Sequence, residues 1–274
     1  MEWSDEGLVL SIRHYGENAR IASVLCAERG RHAGLLRGSG QGKAGAVQPG
    51  QRVRVIWRAR LSEHLGNFSF EPIRDIAALL LDDPGRLAAL VAACTLVDAA
   101  LPEREPHPAL FEATGVLFDA LAAMDDPADW GALLVRWELG LLAEMGYGLD
   151  LSRCAASGAE RGLTHVSPKS GRAVGAEAAA PYAGRLLALP AFLVPGRGGV
   201  AANHPMTDVL AGMALTGHFL ENRLFASLHA PLPAARLRAL EILHRHAAIS
   251  GAAPDIAGDT ASGTASGILG APAL

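Results

Sequence analysis

The spacing of apolar residues changes at Asp75, and this change divides the chain into two parts that fold differently. Before Asp75, apolar residues recur at every second position in short segments separated by glycine-rich turns. This is the period of a β-strand, and five such segments within about 75 residues indicate a small β-barrel, for which an OB-fold is the natural candidate. After Asp75 the period is about 3.6 residues, which predicts α-helices. These helices are predicted at residues 86–100, 108–123, 128–145, 207–228 and 233–246.

The positive charge of the chain is concentrated in the predicted barrel. Residues 29–60 contain eight Arg or Lys and no Asp or Glu, although the net charge of the whole chain is -4. Residues 1–75 carry 11 basic and 8 acidic residues, whereas residues 76–274 carry 13 and 20. Because phosphate backbones respond to the local field rather than to the overall charge, this segregation indicates a nucleic-acid-binding module. The predicted contacts are Arg29, Arg31, Arg37, Lys43, Arg52, Arg54, Arg58 and Arg60.

Half of these cations share one parity in a single predicted strand. Within residues 52–61, the apolar Val53, Val55 and Trp57 occupy one parity and the arginines occupy the other. Such a strand buries one face and presents guanidinium groups on the other, where they suit phosphate oxygens and can stack on bases. Two other interpretations fit the same pattern. One is a solvated basic face on an ordinary β-domain, and the other is a surface for an acidic protein partner.

No catalytic motif accompanies these charges. The segment at residues 40–45 spells G-x-G-x-x-G, but a strand rather than a helix is predicted to follow it, so it does not form a dinucleotide site. Lys43 is followed by Ala44, which excludes a P-loop. None of the ten histidines lies in a metalloprotease, deaminase or hydrolase motif. The sequence therefore predicts a binding protein without a cofactor, and the glycine loop is interpreted as a charged rim of the barrel.

Composition indicates the cellular compartment of the protein and which part of the chain is ordered. The three cysteines are far apart, which suits a reducing compartment better than a disulfide framework. No uninterrupted apolar run is long enough to span a membrane, and we expect a cytoplasmic protein that associates with the nucleoid. Residues 249–274 are rich in Gly, Ala, Ser and Thr and lack a core pattern, so they are predicted to be disordered.

Short motifs along the chain resemble, in their order and spacing, the RecO family of bacterial DNA repair proteins. They are EGLVLSIRHYGENARIASVLCAERGRHAGLLRG, RCAASG, VSPKSGRAVG, FLENRLF and PLPAARLR, and together they span residues 1–246. The resemblance implies an OB-fold at residues 1–75, a helical domain at 76–149 and 181–248, and a ribbon insert at 150–180. It further implies a recombination mediator that binds single- and double-stranded DNA, anneals strands and supports recombinase loading. Its implied partners are RecR and the single-strand-binding protein SSB, and RecF is left open as a third.

The ribbon departs from the family at three of the four positions where many members carry two C-x-x-C pairs. These positions hold Cys154, Ser157, Gly175 and Ala178. One thiolate cannot complete a tetrahedral zinc site, and His165 alone does not replace the missing ligands. We therefore expect a zinc-ribbon-like insert without metal, held by packing and by turns.

The implied partner SSB sets a physical requirement on the helical domain. An acidic, apolar peptide that ends in a carboxylate needs an apolar groove with a cation at its rim. The candidate cations are Arg136, Arg223, Arg236 and Arg238. Arg223 is the preferred candidate, because Phe219 and Phe225 flank it in the sequence.

Overall fold

The computed structural model describes residues 1–17, 19–37, 47–182, 184–195 and 204–251. Lys43, the glycine loop at residues 40–45 and the segment 252–274 lie outside these ranges. The predicted fold class is confirmed, because a closed β-barrel precedes a helical domain that carries a small three-stranded sheet.

The barrel follows the strand order β1-β2-β3-β5-β4. All of its strand pairs are antiparallel except β3 with β5, which meet in parallel at Leu35 and Asn67. The long strand β1 closes the barrel, since its first half pairs with β4 and its second half pairs with β2. The strands are β1 (Glu2–Tyr15), β2 (Ala19–Cys26), β3 (Gly30–Arg37), β4 (Gln51–Arg58) and β5 (Asn67–Asp75).

Strand β4 shows the predicted alternation but is shorter than predicted. Its buried residues include Val53, Val55 and Trp57, which fill the barrel interior. The strand ends at Arg58, however, so Arg60 lies in the following loop and Leu61 is exposed. Past Arg58, the backbone N–H of Ala59 still donates to the carbonyl of Met1 at 3.0 Å, but the strand does not continue. The indole of Trp57 donates a hydrogen bond to the carbonyl of Leu65 at 2.9 Å and thereby closes the loop.

The helical domain consists of long helices around one apolar core. Asp83 and Asp126 cap two of these helices with their carboxylates, and a proline follows each cap at the first helical position. A π-helix, Leu220–Phe225, interrupts the single helix predicted at residues 207–228. The α-helices are α1 (Ile76–Leu79), α2 (Pro84–Ala100), α3 (Pro108–Ala123), α4 (Pro127–Glu144), α5 (Ala176–Ala179), α6 (Met206–Phe219) and α7 (Ala234–Ile249).

A buried ion pair lies in the core of this domain. The side chain of Arg236 on α7 is 2% exposed and that of Glu138 on α4 is 0% exposed. The guanidinium donates to both carboxylate oxygens, at 2.8 and 3.0 Å, and also to the carbonyl of Met213 at 2.6 Å. Thr216 donates a further hydrogen bond to Glu138. The network therefore joins α4, α6 and α7, and Arg236 is unable to serve as a surface cation for a peptide.

Helix α2 fastens the barrel to the helical domain. The carboxylate of Asp98 accepts hydrogen bonds from the hydroxyls of Ser11 at 2.8 Å and Ser23 at 2.6 Å. Around this contact, Leu8, Leu10 and Leu25 of the barrel belong to the core of the helical domain. The middle of the outer face of β1 and β2 is thus covered, whereas both ends of β1 remain accessible.

Candidate nucleic-acid interface

The outer face of β4 carries three of the predicted arginines, but acidic residues from the neighbouring strands lie among them. Arg58 forms an ion pair with Glu2 on β1 at 2.8 Å, and Arg52 forms one with Glu6. The hydrogen bond from Arg58 lowers the pKa of the Glu2 carboxyl. The structure therefore shows a mixed ladder of charges rather than the uniformly basic face that the strand pattern predicts.

Arg54 differs from its two neighbours on this face. It is exposed and forms no ion pair among the described residues, although Glu6 and Glu71 lie opposite it in the register of β1 and β5. Glu6 is engaged by Arg52. Arg60 is likewise exposed, in the loop after β4, and no ion pair is seen for it in the described parts of the chain. These two guanidinium groups can bind a phosphate without first breaking an ion pair with a carboxylate.

Arg31 occupies the contact between the two domains. Its side chain is only 17% exposed, and its Nε donates to the carbonyl of Leu101 at 2.8 Å. One terminal nitrogen lies 3.5 Å from Asp98 and 3.6 Å from Glu103. Its visible role is to hold the barrel to α2 and to the connection that follows it.

Arg29 lies in the turn between β2 and β3, beside an aromatic cluster. Its guanidinium lies 5.9 Å from the ring centroid of Trp3, and Trp3 stacks on the buried Trp57 at 5.6 Å. Trp3 is half-buried, whereas Arg29 is exposed. A cation above an aromatic ring is an arrangement that single-stranded nucleic acids can use for both phosphate and base contacts.

His32 is a buried imidazole in the same cluster. It is 4% exposed, its ring lies 5.2 Å from Trp3 and 5.3 Å from Trp57, and neither ring nitrogen has a hydrogen-bond partner among the described residues. Burial lowers the pKa of His32 to about 4, and the nearby Arg104 and Arg29 act in the same direction. The ring is therefore neutral at physiological pH and behaves as part of the apolar core.

We expect His32 to make the fold sensitive to acid. In the folded state it stays neutral down to a pKa of about 4, whereas the unfolded chain takes up the proton near 6.5. The unfolded state thus binds more protons in this window, and stability that is complete above pH 6.5 is lost as the pH falls toward 4. The free energy of unfolding should fall less between pH 7 and pH 4.5 in His32→Phe than in the wild type. Urea titrations at a series of pH values measure this difference, and an equal fall in both proteins would contradict the prediction.

The hairpin between β1 and β2 adds cations that lie outside the basic segment of the sequence. They are Arg13, which is exposed, and Arg20, which is half-buried. Pairing of Ala19 with Arg37 places this hairpin beside the end of β3. The parallel contact between β3 and β5 brings the last residues of the loop at 59–66 beside Leu35, close to the end of β3. In an OB-fold these are the two loops that flank the binding face.

The barrel end therefore gathers predicted and unpredicted residues at one place. Arg37 is the last residue of β3, and its register partner Ala19 precedes Arg20 on β2. The charge count over residues 29–60 overlooked Arg13 and Arg20, because only the antiparallel register across the hairpin brings them here. Their signal in the sequence is the turn at Gly16 between two basic strand ends.

The favoured partner residues of the helical domain are mostly internal. Phe219 and Phe225 are 3% and 1% exposed; Phe219 lines a cavity together with Arg223, and the partner-binding role of these residues stays a prediction. Arg223 is exposed, and it donates to the carbonyl of Lys169 at 2.6 Å beside a cavity of about 240 Å³. Helices α2 and α7 border a larger cavity of about 430 Å³, which we call the α2–α7 groove. It is lined by Pro84, Leu87, Ala88, Val91, Ala235, Arg238, Glu241, Ile242 and Arg245.

The ribbon insert contains β6 (Leu163–Val166), β7 (Ala173–Gly175) and β8 (Leu187–Ala188) in the order β7-β6-β8. Cys154 is buried, and its sulfur accepts a hydrogen bond from the backbone N–H of Gly175 at 3.2 Å. Within the described ranges, no group of three or more His, Cys, Asp or Glu residues could hold a metal ion. The metal-free ribbon stays a prediction, and elemental analysis of the purified protein is its direct check.

The chain has a closed five-stranded barrel of OB topology, with cations on the outer face of one strand and at one end. This combination defines a class of oligonucleotide-binding proteins. Residues 1–75 match the family "Recombination protein O N terminal", and residues 81–231 match "Recombination protein O C terminal". The chain belongs to the RecO family of DNA repair proteins. This confirms the family resemblance found in the sequence.

Curated relatives carry the name DNA repair protein RecO. The protein of Rhodospirillum centenum is 52% identical over 257 residues, which cover 93% of this chain and 99% of the relative. That of Rhodospirillum rubrum is 49% identical over 90% of this chain and 98% of its own length. A Cereibacter sphaeroides protein is 47% identical over 89% of this chain and 100% of its own length.

In the part of the chain that the structure describes, no helix is both long enough and apolar enough to cross a membrane.

Proposed function

We propose that this protein is a non-enzymatic mediator that binds DNA strands and anneals complementary ones in recombinational repair, in the cytoplasm at the nucleoid. The observation that carries the proposal is the OB barrel of a chain of the RecO family. Exposed cations lie on the outer face of β4 and at one end of this barrel. Annealing needs no nucleotide hydrolysis, because duplex formation itself supplies the free energy. The cations reduce the repulsion between two phosphate backbones and release their counterions.

The exposed cations are the proposed primary contacts. Arg54 and Arg60 are available without breaking an ion pair, and Arg29 offers a cation beside Trp3. Arg52 and Arg58 would contribute after exchanging a carboxylate for a phosphate, which reduces their net gain. Arg31 contributes mainly to the domain contact. Further proposed contacts are Arg13, Arg20, Arg37 and Lys43.

An annealing assay tests this function directly. Full-length protein should accelerate the pairing of complementary labelled oligonucleotides without ATP, and the acceleration should decrease as salt rises. A folded protein that fails to accelerate pairing at low salt would contradict the proposal. The competing function is an adaptor whose barrel binds an acidic protein. Such a protein would bind polyglutamate as tightly as single-stranded DNA, so both polymers should be titrated side by side.

RecR and SSB are the proposed protein partners, with RecF as an open third. For the C-terminal peptide of SSB, the α2–α7 groove meets the physical requirement better than the cavity beside Arg223. It is larger, its floor includes Leu87, Val91 and Ile242, and Arg238 lies at its rim. Arg223 has already engaged a backbone carbonyl, and glycines form much of the wall around it.

We expect Arg238→Gln/Arg245→Gln to weaken binding of a labelled SSB C-terminal peptide by about tenfold, the equivalent of about 1.4 kcal/mol. The reason is the loss of charge-assisted hydrogen bonds to the peptide carboxylates. Arg223→Ala should leave this affinity unchanged. Fluorescence anisotropy measures both variants in full-length protein that also carries Asp255→Lys/Asp259→Lys, because these acidic residues of the same chain would otherwise compete for the groove arginines. The groove assignment fails if Arg223→Ala weakens peptide binding and Arg238→Gln/Arg245→Gln does not.

A further inference from the structure

The α2–α7 groove is a cationic site in an acidic part of the chain. Arg238 and Arg245 are exposed, and neither has a carboxylate within ion-pair distance among the described residues. They are seven residues apart on α7, which places them on one face about 10 Å from each other. With Glu241 the groove keeps a net charge of +1, whereas residues 76–274 as a whole carry -7. An apolar floor between two free guanidinium groups suits an apolar segment that carries two carboxylates.

We propose that residues 252–262 of this same chain fold back into the α2–α7 groove and occupy it. This segment follows α7, the helix that supplies both arginines, almost directly. Its sequence, AAPDIAGDTAS, contains no Lys, Arg or His. Asp255 and Asp259 are four residues apart, and the apolar Ile256 lies between them. The segment therefore provides the two charges and the apolar anchor that the groove can take.

The reach of the chain agrees with this pairing. From Gly251 back to Arg245 the distance along the α7 axis is about 9 Å, and the four residues that end at Asp255 extend to about 14 Å. Asp255 can thus reach Arg245 after a reversal of chain direction. The four residues from Asp255 to Asp259 span up to about 14 Å, enough for the 10 Å or so that separates Arg245 from Arg238. The carboxylates then meet the guanidinium groups in antiparallel order.

The consequence is a built-in competitor at the proposed peptide-binding groove. A tethered segment acts at an effective concentration of about 1 mM. If the untethered segment binds the open groove with a Kd of about 0.1 mM, the tethered segment occupies the groove most of the time. The apparent affinity of an external peptide is then lower by about tenfold. The regulatory meaning rests on the proposed function of the groove, but docking of the segment itself does not.

The test uses full-length chains and a labelled peptide with the sequence of residues 252–262. Peptide affinity is measured for the wild type, for Asp255→Lys/Asp259→Lys, and for the latter combined with Arg238→Gln/Arg245→Gln. We expect the tail substitution to strengthen peptide binding about tenfold, because the groove is released, and the added groove substitutions to abolish this gain. The matched control combines the tail substitution with Arg161→Gln/Arg185→Gln, which removes two exposed arginines outside the groove. This control should keep the tenfold gain in peptide affinity.

Three results would overturn the proposal. They are equal affinity for the wild type and the tail variant, absence of binding to the tail variant, and binding that survives loss of both groove arginines. The SSB peptide is titrated against the same tail variant as a separate probe. If it fails to bind where the tail peptide binds, the assignment of SSB to this groove fails and the docking of the tail stands.

Discussion

Charge reversal of Arg52, Arg54, Arg58 and Arg60 to Glu should remove most of the affinity of the barrel for single-stranded DNA and flatten its salt dependence. If all four contact phosphates, the slope of log K against log salt decreases by roughly three units, at about 0.7 per contact. The effect should be the same for any DNA sequence, because phosphate contacts carry no base information. Binding titrations between about 50 and 300 mM salt give the slope directly.

Because of the ion pairs on β4, we expect the four arginines to contribute unequally to this decrease in slope. Arg54→Glu/Arg60→Glu should account for about 1.4 units of slope, since both guanidinium groups are free in the described structure. Arg52→Glu/Arg58→Glu should cost less, because Glu6 and Glu2 already neutralise these arginines. A long-range field would make the pairs equivalent, as each changes the net charge equally. Equal losses would therefore reject the contact argument, and unchanged affinity of the fourfold variant would reject the barrel face.

Loss of Arg236 alone should strongly destabilise the helical domain. We expect Arg236→Leu to lower the free energy of unfolding by about 3–5 kcal/mol, because it leaves the carboxylate of Glu138 buried without its partner. Urea denaturation followed by circular dichroism measures this change. The exposed Arg238→Leu on the same helix should cost less than about 1 kcal/mol.

The double variant Arg236→Leu/Glu138→Leu distinguishes the cost of an unpaired charge from the value of the pair. Two apolar side chains need no partners, and replacing a whole buried ion pair is often neutral or stabilising. The double variant should therefore recover most of the stability lost in Arg236→Leu. A double variant as unstable as the single one would show that the network, including Thr216, is itself required for packing of α4, α6 and α7.

Secondary structure was largely determined by the sequence itself. The helix predicted at residues 108–123 coincides with α3 (Pro108–Ala123), and the alternation in β4 places Val53, Val55 and Trp57 inside as predicted. Both results depend on periodicities within one segment, where side-chain direction follows from the backbone geometry of a single helix or strand. Apolar residues at the right spacing are enough to show which face is buried.

The tertiary structure decided which charges are available. Residues 29–60 contain no acid, yet Glu2 and Glu6 reach Arg58 and Arg52 across the β1–β4 ladder. Arg236 has the sequence context of a surface arginine, but helix packing places it against Glu138. The net charge at any point of the surface depends on strand register and on helix packing, which bring together residues that are distant in the chain. Composition and periodicity therefore identified the barrel and its positive character, while only the folded chain separated the free arginines from the paired ones.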